Sequence, residues 1–92
     1  MFYHVAIKSD GSLWAWGFND YGQLGDGTTT YRYSLVQIGT DTDWNDVRAG
    51  YSFTIAIKQN GAIYTTGANC YGQLGLGIYG EAMNKATPTQ VP

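Results

Sequence analysis

The segment Asn19-Asp20-Tyr21-Gly22-Gln23-Leu24-Gly25-Asp26-Gly27 is the first place where residue type and spacing suggest chemistry, and it recurs as Asn69-Cys70-Tyr71-Gly72-Gln73-Leu74-Gly75-Leu76-Gly77. Closely spaced glycines let backbone N–H groups converge on an anion such as phosphate. The order here is G-x-x-G-x-G, with no helix expected after it and no Lys-Ser/Thr pair, so it lacks what a nucleotide-binding loop requires. The same residues make a better structural loop. The glycines permit turns of positive φ, Tyr21 and Leu24 pack inward, and the Asn19 and Gln23 amides satisfy backbone groups. Asp41-Thr42-Asp43-Trp44-Asn45-Asp46 alternates oxygen ligands as a calcium loop does. It has Asp46 and Ser52 where that loop needs glycine and glutamate, so a solvated turn is expected, with Asp43 capping backbone N–H groups.

His4 is the sole histidine, and its repeat partner is Thr54, so the strand position does not need an imidazole. No spacing joins it to Ser9 or Ser52 and an orienting carboxylate as nucleophilic catalysis demands. The lone Cys70 can make neither an internal disulfide nor a structural zinc site. No catalytic residue, cofactor site or metal site is therefore expected. The remaining candidates are aromatic: Trp16, Tyr31, Tyr33, Tyr51 and Tyr79 are possible platforms. Tyr31-Arg32-Tyr33 sets a cation between two rings, a composition found in protein-interface hot spots, and is the candidate partner-binding loop.

The elements that carry these residues follow from a repeat. Residues 4–27 align with 54–77 at an offset of 50 without a gap, and 12 of the 24 positions are identical. Ser34–Ile38 then matches Thr87–Val91 at an offset of 53, which puts a three-residue insertion within 78–86. Each unit has a period of two. Val5 and Ile7 share a face, as do Ile55 and Ile57, and the turn dipeptides Asp10-Gly11 and Asn60-Gly61 follow. Return strands are predicted over Leu13–Trp16 and Ile63–Thr66, stopped by Gly17 and Gly67. Trp44–Ala49, closed by Gly50, predicts a strand leading into Phe53–Lys58. Leu35–Ile38 and Thr89–Val91 predict outer strands. Glu81–Ala86 is the one stretch that suits a helical turn or two. The class is all-β.

Composition agrees. Of 92 residues 13% are charged, about half the usual fraction, and the 13 glycines are about twice the usual share. A net charge of −2 excludes an electrostatic nucleic-acid binder, and 43% apolar residues exclude a disordered tail. No apolar run is long enough to span a bilayer, and Met1–His4 lacks the basic start and apolar stretch of a secretory leader.

The pattern W-x-x-V-x-A-G-x-x-F-T-x-A-I-K-x-x-G-x-I-Y-x-x-G-x-N-x-Y-G-Q-L-G from Trp44 to Gly75 resembles the repeat of the regulator of chromosome condensation family, as does His4–Gly25. The resemblance implies antiparallel β-propeller blades, here about two of what is normally a seven-bladed ring. Residues 1–92 would then be a partial propeller, with one repeat over 2–39, incomplete at its start, and a second over 44–91. On this reading Gly11, Gly17, Asn19, Tyr21, Gly22, Gln23, Leu24, Gly25, Gly50, Gly61, Gly67, Asn69, Tyr71, Gly72, Gln73, Leu74 and Gly75 are structural repeat positions. Two blades cannot cover Val5, Ile7, Leu13, Trp14, Ile55, Ile57, Ile63 and Tyr64 together. A piece of a longer chain is expected, or copies that associate to close a ring. The expected function is non-enzymatic binding of a protein partner. A glycan- or cell-surface-binding module is the alternative, suited to the tyrosine-rich loops and low charge. Guanine-nucleotide exchange enters by family analogy only, since no residue here matches the positions responsible.

Overall fold

The computed structural model describes residues 2–69, 75 and 84–91. Among the described residues, seven strands run in chain order: β1 (Tyr3–Ile7), β2 (Leu13–Gly17), β3 (Arg32–Gln37), β4 (Trp44–Ala49), β5 (Phe53–Lys58), β6 (Ile63–Gly67) and β7 (Lys85–Gln90). They form two antiparallel sheets, of order β1-β2-β3 and β4-β5-β6-β7.

The 50-residue repeat is visible in the register. Tyr3 pairs with Gly17 and Ile7 with Leu13; fifty residues on, Phe53 pairs with Gly67 and Ile57 with Ile63. The next pairing is irregular at the same place in both sheets, between Ala15 and Gly17 and between Thr65 and Gly67. Equivalent turns close the hairpins, with Gly11 at φ +86° and Gly61 at φ +88°. Each side chain before the glycine caps its turn: an Asp10 carboxylate oxygen accepts the Ser12 N–H at 3.0 Å, and the Asn60 Oδ1 accepts the Ala62 N–H at 2.9 Å.

The core lies where the sheets meet. Leu13, Ala15, Leu24, Ile38, Trp44 and Ala56 are buried, with Val5, Ile7, Phe18, Val36, Val47 and Tyr64 packed against them. Of the eight flank residues singled out in the sequence, Leu13 is buried, Ile63 is exposed, and the other six are half-buried.

The outer strands differ from expectation, with β3 ending at Gln37 rather than Ile38 and β7 running Lys85–Gln90 rather than Thr89–Val91. The first outer strand begins at Arg32 rather than Leu35, so Arg32 and Tyr33 belong to β3 and only Tyr31 precedes it. The expected helical turns over 81–86 fail at their end, where Lys85 and Ala86 open β7; residues 81–83 lie outside the described residues. Pairing explains this outcome, because Gly67 is opposite Lys85 and the Thr66 hydroxyl lies 2.8 Å from the Lys85 carbonyl.

Candidate functional site: an aromatic rim held by an intersheet loop

The Asn19–Gly27 loop is built from its own amides. Asn19, fully buried, accepts the Leu24 N–H on Oδ1 at 3.0 Å and donates from Nδ2 to the carbonyls of Thr28 (2.9 Å) and Thr30 (3.1 Å). Gln23 accepts the Tyr21 N–H at 2.9 Å and donates to Asp20 at 3.3 Å. Leu24 is buried as expected, while Tyr21 is half-buried. The glycine N–H groups are already committed: Gly22 to the Asn19 carbonyl, Gly25 to that of Gly22, and Gly27 to that of Ala86. A phosphate would find none of the three amides available.

The loop fastens one sheet to the other. The Thr54 hydroxyl on β5 donates to the Gln23 carbonyl at 2.7 Å, and the Thr66 hydroxyl on β6 reaches the Gly22 carbonyl at 2.8 Å. A β-carbon on Gly22 would stand 2.8 Å from the Ala86 Cα on β7, so only glycine allows the approach. A second tie comes from Tyr3. Its phenol lies 3.2 Å from the Gly50 carbonyl and 3.2 Å from the Thr54 hydroxyl, and also donates to the Phe53 carbonyl. Burial pushes the Tyr3 hydroxyl above its ordinary pKa, against the pull of these hydrogen bonds, so it stays a neutral donor. The sequence carried no signal for Tyr3, Thr54 or Thr66, because their partners lie 31 to 51 residues away.

These ties bring aromatic side chains together at one end of the two sheets. Tyr51, 96% exposed in the β4–β5 turn, borders two recesses. One, of about 280 Å³, is lined by Phe2, Tyr3, Gly50 and Tyr51. The other, of about 160 Å³, is lined by Phe18, Asp20, Tyr21, Tyr51 and Ser52. Phe2 is 83% exposed, and the Phe18 and Tyr31 rings meet at 4.6 Å.

The candidate triplet Tyr31, Arg32 and Tyr33 is divided. Tyr31 joins Phe18, and Tyr33 projects from β3 at 93% exposure. Arg32 holds Asp26 at 2.7 Å. Burial raises the Asp26 pKa, but the Thr28 hydroxyl and N–H and the Arg32 guanidinium outweigh it and leave the carboxyl below its usual value. Trp16 is covered by His4, whose ring stacks on it at 4.8 Å.

The opposite end is charged. There Lys58 bridges Asp41 and Asp43 at 2.5 and 3.3 Å; along β4, Asp46 pairs with Arg48 at 3.2 Å. These carboxylates are therefore divided between two cations, not gathered as calcium ligands, and Asp43 serves Lys58 in place of the expected backbone cap. The aspartates lift the Lys58 pKa, the Asp41 hydrogen bond foremost. A cleft of about 420 Å³ between the sheets is lined by Ile38, Asp41, Trp44, Tyr64 and Pro88, among others.

In the second unit, Cys70, Tyr71, Gly72, Gln73, Leu74 and Tyr79 lie outside the described residues. Asn69 is buried and its N–H donates to the Asn84 side chain at 2.8 Å, while Gly75 has φ +71°.

The chain was compared with known proteins. No curated protein sequence matches it. Among solved structures, human WBSCR16 superposes with a TM-score of 0.82 at 21% identity, over 98% of this chain and 23% of that one. Prp20p of Saccharomyces cerevisiae, described with its binding properties to Gsp1p and histones, gives 0.79 at 22% identity, over 98% and 23%. Yeast RCC1 (Prp20) bound to Kap60 gives 0.81 at 18% identity, over 98% and 21%. The chain thus spans about a quarter of the length of these relatives, and its sheets have the fold of their propeller blades. The family model of the regulator of chromosome condensation (RCC1) repeat matches residues 10–57 and 60–92, and a second model of that repeat matches 44–73. With matched registers, equivalent glycine turns and these profiles over most of its length, the chain belongs to the RCC1 repeat family.

Proposed function

We propose that this chain is a non-enzymatic RCC1-repeat module, with repeats over 2–39 and 44–91, that binds protein partners through the aromatic rim around Tyr51. The observation that carries the reading is the position of Tyr51 and Phe2. Both are almost fully exposed, and they stand beside two recesses at one end of the sheets. Exposed aromatic rings next to pockets are the composition of interface hot spots, where one tyrosine contributes about 2 kcal/mol or more when covered. The relatives support a protein partner, since Prp20p is described with Gsp1p, histones and Kap60.

Those three proteins are suitable probes. Binding by the full chain, measured calorimetrically, is expected to weaken at least about tenfold on Tyr51→Ala and to be little changed by Tyr33→Ala, on the face of β3. Equal loss from both variants, or from neither, would refute the rim. Nucleotide release from Gsp1p accelerated by this chain would replace the reading with that of an exchange regulator. Selective retention on a sugar array, lost on Tyr31→Ala, would replace it with a glycan-binding module.

A further inference from the structure

The cleft of about 420 Å³ between the sheets shares no residue with the recesses beside Tyr51. Ile38, just past β3, lines it from the first unit, and Trp44 of β4, Tyr64 of β6 and Pro88 of β7 line it from the second. Gly25 lies between these walls. A β-carbon there would stand 3.3 Å from the Ile38, Pro88 and Thr66 side chains, so any side chain at this position would press into both.

Among the described residues two carboxylates and no cation line the cleft. They differ in what they have left to accept. One Asp26 oxygen takes the Asn19 amide and both the N–H and hydroxyl of Thr28, and the other holds Arg32. Asp41 uses one oxygen on Lys58, and its Oδ1 accepts nothing among the described residues. Lys58 is shared by Asp41 and Asp43, so two carboxylates meet one ammonium and one negative charge is left over. The Asp41 side chain is 55% exposed, which puts this charge at the mouth of the cleft. The aromatic wall already seats a cation. The Lys58 ammonium lies 5.1 Å from the Trp44 ring and 5.3 Å from that of Tyr64, and the two rings meet edge to face at 5.3 Å. Lys58 does not line the cleft, so Trp44, Tyr64 and Asp41 serve it from one side and border the cleft on another. Trp44 is 5% exposed, and its indole N–H is buried with no acceptor among the described residues. It acts through its ring, whose negative face attracts cations.

We propose that this cleft receives the side chain of an arginine carried by a protein partner, its guanidinium against the Trp44 and Tyr64 rings and bonded to Asp41 Oδ1. A guanidinium suits the cleft better than an ammonium for two reasons. It is flat and weakly hydrated, so it stacks on an aromatic wall at little cost in lost water. It also carries five N–H donors, and beyond Asp41 the cleft offers oxygens from Gln37, Thr40 and Thr87. The volume of about 420 Å³ is at the low end of the roughly 300–1,000 Å³ of ligand pockets and fits one long side chain. The cleft does not depend on the rim at Tyr51, and the two are tested apart.

The test uses the full chain, isotope-labelled for NMR, and a capped glycine-arginine-glycine tripeptide. Titration is expected to move the indole N–H signal of Trp44 and leave those of Trp14 and Trp16 in place. The matching citrulline peptide, of similar shape but uncharged, should bind about three- to fivefold more weakly, and the lysine peptide more weakly than the arginine one. Asp41→Asn should abolish the preference for arginine over citrulline. Asp43→Asn removes the same charge but no oxygen of the cleft, so most of the preference should remain. Tyr51→Ala should leave the titration unchanged, which separates failure of the rim from failure of the cleft. A Trp44 signal that no peptide moves overturns the proposal, as does equal binding of arginine with either control peptide or equal loss from Asp41→Asn and Asp43→Asn. A Trp44 signal that moves with chain concentration alone also overturns it, because a second copy would then fill the cleft.

Discussion

At the scale of single residues, the polar groups of the Asn19–Gly27 loop hold the two sheets together. Asn19→Ala leaves the Leu24 N–H and the Thr28 and Thr30 carbonyls without their buried partner. It is expected to cost about 1–3 kcal/mol, read as a lower midpoint of chemical unfolding. Tyr3→Phe removes one phenol and should cost about 0.5–1.5 kcal/mol. Asp26 makes a pH-dependent contribution whose sign is fixed by its lowered folded-state pKa. Its stabilisation is present above the ordinary value of 3.8 and is lost as pH falls through the folded value. Unfolding midpoints should therefore drop more steeply below pH 3.8 in the parent chain than in Asp26→Asn. Asn19 and Gln23 were legible in the sequence because buried amides beside repeated glycines have backbone groups to satisfy. Tyr3 was not, because a tyrosine at a strand start carries no mark of a partner near residue 50.

At the scale of elements, the repeat made most strands legible. β4 and β5 have the predicted limits, and β2 and β6 differ only by including Gly17 and Gly67. Reading the Tyr31–Tyr33 segment as loop overlooked the strand preference of tyrosine and the offset of 53, which sets Arg32 and Tyr33 against Lys85 and Ala86 of β7. Equivalent turns are also less alike in space than in sequence. A β-carbon on Gly11 would collide with the Thr42 carbonyl, because the β3–β4 link passes over that turn; at Gly61 nothing lies within 4 Å. Gly61→Ala therefore carries only the strain of positive φ, about 1–2 kcal/mol. Gly11→Ala must also move the Thr42 backbone, and its unfolding midpoint should fall well below that of Gly61→Ala. Equal shifts would contradict the packing of the link.

At the scale of the whole molecule, a loop repeated in sequence has become a joint between sheets, with its glycines pressed on strands of the next unit. The family and the blade-like fold were legible because the repeat is long and its turns are spelled out by glycine. The proposed rim was legible only in part. Tyr51 stood among the candidate aromatics, but Phe2, Phe18 and Tyr21 join it through the meeting of two sheets, which no single repeat encodes. Nuclear Overhauser contacts in the full chain test that meeting most directly. Cross-peaks are predicted between Gly22 and Ala86 and between the Tyr3 ring and Gly50, alongside those within each sheet. Intact contacts within both sheets, with none between Gly22 and Ala86 or between Tyr3 and Gly50, would contradict the account.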